Sequence, residues 1–243
     1  MIAPAAPTGA GPSSARAYTS QPRISDPNRT PIVADVTFTG IPLAALDFYE
    51  DLEGDNSKVW WGAHKSIYDE QVKAPLEALS AALTPEFGAP KMFRPYRDIR
   101  FARDKTPYKT HQGIWFDDSS TYLQISAAGL MLAGGYWQTS PAQVERLRRA
   151  VADDVPGAEL ERALTAVGSA KWLVGGDQLT RVPSGYPKDH PRADLLRHKT
   201  LTAHRDLGCP AWLTTAKART EITKAFRTLA PLIGWLDTHV GRD

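Results

Sequence analysis

Residues 113–137 read GIWFDDSSTYLQISAAGLMLAGGYW, and three runs of aromatic, aliphatic and β-branched residues within this stretch decide the fold class. Gly113–Phe116, Tyr122–Ser126 and Leu130–Trp137 are strand candidates, in which successive side chains leave opposite faces. Asp117-Asp-Ser-Ser120 and Ala128-Gly129 separate them, and connections this short predict an antiparallel meander. Gly134-Gly135 inside the third run predicts a close backbone approach or a bulge. Ser140-Pro141-Ala-Gln143 follows at once. It combines an N-cap serine, a proline at the first helical position and a glutamine able to complete a capping box. The helix it opens places Val144, Leu147 and Val151 on one stripe, with Arg146, Arg148 and Arg149 outside it.

Upstream, the apolar period is helical. Thr39-Gly-Ile-Pro42 reads as a helix start, followed by Leu43, Leu46, Tyr49 and Leu52 and stopped by Gly54. Asn56 reads as the N-cap of a second helix bearing Trp60, Trp61, Ile67, Tyr68 and Val72, which kinks at Pro75 and continues through Leu76, Leu79 and Leu83. Trp60 and Trp61 read as packing surface rather than as a cofactor box. Downstream, a helix is expected over Ala158–Val167 with Gly168 as its stop. A wrapped loop rich in proline and glycine comes next, with a short strand around Gln178–Val182 and a short helix from Pro191. The chain closes with a helix bearing Ile222, Ala225, Phe226 and Leu229, broken at Pro231, and a last segment through Trp235. Helices flanking a run of strands predict an α+β fold, a single domain over 35–243 in which an antiparallel sheet packs against helices.

A chain of 243 residues with 42% hydrophobic and 23% charged residues can bury a substantial core. Residues 1–34 are dominated by Ala, Pro, Ser, Thr and Gly without apolar periodicity, a composition that predicts a disordered tail. Nothing in it resembles a secretory h-region. Arg16 and Arg23 with no early acid suit a transit peptide in charge, but the prolines oppose the amphipathic helix such peptides form. No later segment has the apolar length of a membrane span, so no membrane partner is expected. The single cysteine, Cys209, excludes an intramolecular disulfide and fits a reducing compartment, which makes the cytoplasm the expected location.

Charge is concentrated in one place. Lys91–His111 reads KMFRPYRDIRFARDKTPYKTH, with seven Lys or Arg against two Asp, whereas the whole chain carries a net charge of +2. Read as a strand, Phe93, Pro95, Arg97, Ile99 and Phe101 share one face and Arg94, Tyr96, Asp98 and Arg100 the other. Arg97 on the apolar face would need a carboxylate to tolerate burial. Asp104–Lys109 then forms the connecting loop.

Four segments carry a resemblance: FYEDLEGDNSKVWW, KMFRPYRDIRFARDKTPYKTHQG, GGYW and GDQLTRVPSGYPKDHP with the following LLRHK. In this order and spacing they resemble a family of bacterial and fungal proteins known as domain of unknown function 2461. The resemblance spans roughly Phe38 to His204 and rests chiefly on the second and fourth segments. Trp60-Trp61 stands where relatives commonly have Trp-Phe, and Pro95 where Ile or Val is expected. The resemblance implies one soluble domain with one shared site, and it implies no particular activity.

Two basic, aromatic, proline-stiffened loops are the candidate site: Arg100–Lys109, and Arg181–Pro191 continuing to Lys199. Guanidinium and ammonium groups recognise phosphate or carboxylate, and stiff loops lose less entropy on binding. The expected ligand is a small anion held by Arg94, Arg100, Lys105, Lys109, Arg181 and Lys199, with Tyr96, Tyr108 and Tyr186 shaping the pocket. His190 is the one nearby candidate for proton transfer near neutral pH, and the catalytic residue is otherwise unknown. The competing reading pairs Asp98, Asp104 and Asp189 with these cations as a solvated surface. His190, His198 and His204 lack metal-ligand spacing, so no metal is expected. The glycines form no phosphate-binding or dinucleotide motif and Ser184-Gly185 no nucleophile elbow, so no cofactor is expected. Two other classes use the same residues: a nucleic-acid-associated domain, and a structural or partner-binding domain.

Overall fold

The computed structural model describes residues 37–98, 100 and 103–242. The expected tail over 1–34 lies outside them. Three helical segments come first: α1 (Ala44–Gly54), α2 (Lys58–Ile67) and α3 (Ala74–Phe87), the last two joined through a π-helical turn over Tyr68–Lys73. That turn stands where a kink at Pro75 is expected. Ala74 donates its N–H five residues back to the Asp69 carbonyl, and Pro75, which has no N–H to give, sits in the first turn of α3. The N-cap of α2 is Ser57, whose hydroxyl accepts from the Trp60 N–H at 3.1 Å, and not Asn56.

Six strands form one antiparallel sheet: β1 (Pro90–Met92), β2 (His111–Phe116), β3 (Thr121–Ser126), β4 (Gly129–Tyr136), β5 (Leu173–Gly175) and β6 (Leu201–Gly208), in the spatial order β1-β2-β3-β4-β6-β5. The expected meander is β2-β3-β4. β5 and β6 were not among the expected strands, and the expected strand at Gln178–Val182 reduces to an isolated bridge between Gln178 and His198. The register shift of the β4–β6 pairing falls opposite Leu130 and Met131, where Leu207 of β6 is the extra residue. Gly134-Gly135 instead allows close approach: at Gly135, φ is 111°, and a Cβ would lie 2.5 Å from the Leu201 carbonyl oxygen.

The remaining helices are α4 (Pro141–Ala152), α5 (Asp154–Ser169), α6 (Ala193–Leu196), α7 (Lys217–Arg227) and α8 (Ala230–His239). The capping box of α4 forms as read: Gln143 N–H donates to the Ser140 hydroxyl and Ser140 N–H to the Gln143 side-chain oxygen. α5 starts earlier than Ala158, capped by Asp153, and Gly168 lies in its last turn rather than ending it.

One face of the sheet makes the core. Ile114 and Phe116 of β2, Leu123 and Ile125 of β3, Leu130 and Leu132 of β4, and Leu201 and Ala203 of β6 are fully buried there. α1 lies against β3, α3 against β1 and β2, and α7 and α8 against β4. Burial of a side chain of this size contributes about 1.5–3 kcal/mol, so this face dominates stability. By the two-residue period, His111, Trp115, Tyr122, Gln124, Ala133, Thr202 and His204 leave from the opposite face, where they are half-buried.

The basic stretch is not a strand. After Met92 the ladder gives way, because Pro95 and Pro107 have no N–H to donate. Their carbonyls do accept: Arg97 N–H bonds Pro107 O at 2.9 Å and Lys109 N–H bonds Pro95 O at 2.8 Å, framing the isolated Tyr96–Tyr108 bridge. Arg97 is correspondingly not a core residue. Its side chain is 32% exposed and donates to Asp104 and Thr106. Ile99 and Phe101, assigned to the same face, lie outside the described residues. Among the described residues the buried arginine is Arg192, 7% exposed, which donates to the Asp154 carbonyl at 3.3 Å and carboxylate at 3.4 Å. Its Nε has no hydrogen-bond partner.

Candidate functional site

The open sheet face carries a cleft of about 410 Å³ whose lining includes Phe93, Lys109, His111, Trp115, Tyr122, Ala133 and Trp137. Its floor follows the strand register, with Trp115, Tyr122 and Ala133 paired successively across β2, β3 and β4. Small residues make the hollow. Ala133 and Gly135 leave the middle of the floor low, and Gly113 gives way to Tyr122: a Cβ there would lie 2.2 Å from the tyrosine hydroxyl. That hydroxyl donates to the Gln124 side-chain oxygen at 2.9 Å, and burial raises its pKa to about 12, so Tyr122 is a neutral donor and acceptor at physiological pH.

The walls are aromatic. Trp115 and Trp137 meet edge to face at 6.1 Å, and Phe93 lies 6.3 Å from Tyr122. Trp137 remains 50% exposed. Across this wall is a second hollow of about 590 Å³, which shares Phe93, Trp115, Gly135 and Trp137 and adds Lys91, Asp117, Gln138 and Arg242. Two ammonium groups flank the ring of Phe93: Lys109 Nζ is 5.3 Å and Lys91 Nζ 5.9 Å from its centroid. Among the described residues neither lysine has a carboxylate partner. Burial, and then the charge of Arg94, lower the pKa of Lys109. Burial, and then Lys109, lower that of His111, which favours a neutral imidazole beside the ammonium. Arg242 is committed elsewhere: it makes two hydrogen bonds to Asp237 and one to the Asp117 carbonyl.

The sequence candidates are distributed as follows. Lys109 lines the cleft, and the other nine do not line either hollow. Tyr108 is buried, stacked on Trp61 at 4.1 Å and 7°, with Tyr96 beside both rings. These tyrosines fasten the basic loop to α2. Asn56 completes the fastening: its side chain donates to the Tyr108 carbonyl and accepts from the Tyr108 N–H, both at 3.1 Å. Arg100 makes a two-pronged pair with Asp98, at 2.9 and 2.7 Å, which lowers the Asp98 pKa. Asp104, bonded to Arg97 and Thr106, is lowered to about 2. These two pairs fit the solvated-surface reading for that part of the loop. Arg94 and Lys105 are exposed.

The second basic loop leaves from the other end of the sheet. It follows edge strand β5, whereas the first follows edge strand β1, so β2, β3, β4 and β6 lie between the two edges. Arg181 and Lys199 are exposed, and Tyr186 packs half-buried against the core. His190 accepts the Arg192 N–H on its own Nδ1 at 3.0 Å, a local turn contact. His111 is the imidazole that lines the cleft. His198 is structural: its Nδ1 faces the Thr200 carbonyl at 3.0 Å and its Nε2 the Gln178 amide nitrogen at 2.8 Å, partners that fix a neutral tautomer. Among the described residues no three His, Cys, Asp or Glu side chains gather as a metal set.

A family model described as "Conserved hypothetical protein (DUF2461)" matches residues 44–235, most of the chain, and the chain belongs to that family. No curated protein and no solved structure matches it. No helix among the described residues is long and apolar enough to cross a membrane.

Proposed function

We propose that this family member binds a small phosphate- or carboxylate-bearing molecule with an apolar body in the aromatic cleft on the open face of the sheet. One observation carries the reading: Lys109, without a carboxylate partner among the described residues, stands in the wall of a concave hollow otherwise lined by Phe93, Trp115, Tyr122 and Trp137. An ammonium in partly desolvated surroundings attracts an anion more strongly than it does in water, and aromatic walls take up the rest of the ligand. Lys109 supplies the charge, His111 and Tyr122 supply neutral hydrogen-bonding groups, and Arg94 adds long-range attraction from the loop. A single cysteine supports the cytoplasm as the compartment.

The test is calorimetry and thermal melting with benzoate and with inorganic phosphate on the parent, Lys109→Met and Trp137→Ala. Benzoate should bind the parent, Lys109→Met should weaken it by about 1.5–3 kcal/mol, and Trp137→Ala by roughly 1 kcal/mol. A parent that binds neither probe would refute the reading. A concave hollow favours a small ligand over a nucleic-acid strand. A single-stranded oligonucleotide that stays bound at near-physiological salt and is not displaced by benzoate would instead support the nucleic-acid reading.

A further inference from the structure

The two hollows differ in their outer ends and share their middle. Phe93, Trp115, Gly135 and Trp137 line both, so they form a waist between a hollow containing Lys109 and His111 and one containing Lys91. Each ammonium lies within 6 Å of the same Phe93 centroid, so the two are no farther apart than the sum of 5.3 and 5.9 Å. Without a ligand this arrangement is repulsive, since like charges share one ring and neither lysine has an ion-pair partner among the described residues, the Asp117 carboxylate of the second hollow accepting from Trp115 Nε1 at 3.0 Å. A single anion relieves half of that repulsion and leaves the other lysine without a counter-ion. A ligand with charge at both ends satisfies both.

From this geometry we infer that the cleft takes a compact dianion, with one anionic group at Lys109, the other at Lys91, and a flat apolar body of one or two rings held at the aromatic waist. The inference rests on the binding site proposed above and adds to it the number and placement of the ligand's charges. Arg242 lines the second hollow but is held by Asp237 and the Asp117 carbonyl, which leaves Lys91 as the cation able to engage the second group. The short separation selects rigid, ring-sized dianions over long flexible ones, whose rotors would have to be frozen on binding.

The experiment titrates benzene-1,4-dicarboxylate, naphthalene-2,6-dicarboxylate and benzoate into the full chain at low salt, for the parent, Lys91→Met and Lys109→Met. At least one dicarboxylate should bind the parent roughly tenfold or more tightly than benzoate, the effect of one added charge-assisted contact. Lys91→Met should bring that dicarboxylate down to the level of benzoate, with a far smaller effect on benzoate itself. Lys91 is exposed and Lys109 half-buried, and parent-like melting of the variants would show that the fold is intact. Equal affinity for benzoate and both dicarboxylates, sensitive to Lys109→Met alone, would overturn the dianion and leave the single-anion site standing. No binding of any of these probes, or of inorganic phosphate, would overturn both.

Discussion

Replacing Asn56 tests how the basic loop is held, because its carboxamide bonds the backbone of Tyr108 from 52 residues away. As a helix cap, Asn56 would contribute about 1 kcal/mol and only to α2. As a clamp it contributes more. Asn56→Ala removes two hydrogen bonds at once, and it strands an N–H and a carbonyl on a residue that is only 6% exposed. Each stranded backbone group costs about 1–3 kcal/mol, reduced where water can reach it, which gives about 2–4 kcal/mol for the pair. Ser57→Ala is the internal control: it removes the actual cap of α2 and should cost about 1 kcal/mol without disturbing the loop. Urea unfolding followed by tryptophan fluorescence measures both, since Trp61 stacks on Tyr108. Amide exchange at Arg97 and Lys109 should accelerate in Asn56→Ala and not in Ser57→Ala, because those N–H groups close the base of the loop. A cost below about 0.5 kcal/mol for Asn56→Ala, or a larger cost for Ser57→Ala, would refute the clamp.

Other perturbations separate structural from superficial charges. Arg97→Ala should change stability by less than about 1 kcal/mol in urea unfolding, because its pair with Asp104 is solvent-exposed and screened. Arg192→Ala should cost about 2–4 kcal/mol, whereas Arg192→Met should be neutral or stabilising in the same assay, since the buried guanidinium has long contacts and an Nε that makes no hydrogen bond, only a 3.8 Å ion pair with Glu161, none of which an apolar chain of similar length needs. Acid should weaken the fold through His111 and His198, both lowered in pKa chiefly by burial. Between the folded pKa and the ordinary value of about 6.5 the unfolded chain binds more protons, so their contribution is complete above about pH 6.5 and falls as pH drops below it. Melting temperature against pH, in the parent and in His198→Gln, should show a smaller drop over that range in the variant.

The parts of this fold that were legible are those set by local rules. The β2-β3-β4 meander followed from two-residue alternation and short turns, and the start of α4 from Ser140, Pro141 and Gln143. β6 was hidden because only Leu201 and Ala203 of its eight residues are fully buried, while His204, Arg205 and Asp206 separate them from Leu207 and interrupt the apolar signal. The π turn left no trace, since Tyr68–Lys73 holds neither glycine nor proline. The cleft was harder. Charge density drew attention to Arg94–Lys105, where Asp98 and Asp104 engage two of the arginines. The lining is spread over Phe93, Lys109, His111, Trp115, Tyr122, Trp137 and Thr202, joined only by strand register. One usable signal existed: Trp115 and Tyr122 are aromatics on the outward positions of strands whose inward positions were already apolar, and the pairing Trp115–Tyr122 brings them together.

The placing of β6 between β4 and β5 has a consequence for the order in which the sheet can be assembled. β4 ends at Tyr136, and its partner on that side begins only at Leu201. A nascent chain can therefore complete β1 to β4 by neighbouring hairpins while one margin of β4 still offers bare N–H and carbonyl groups. β5 cannot cover that margin, since it pairs with β6 alone. The positive φ of Gly135 interrupts regular extended backbone on this margin, which makes it a poorer template for another chain. Until the strand from Leu201 arrives, that margin of the half-built sheet stays an open edge beside any neighbouring ribosome's product.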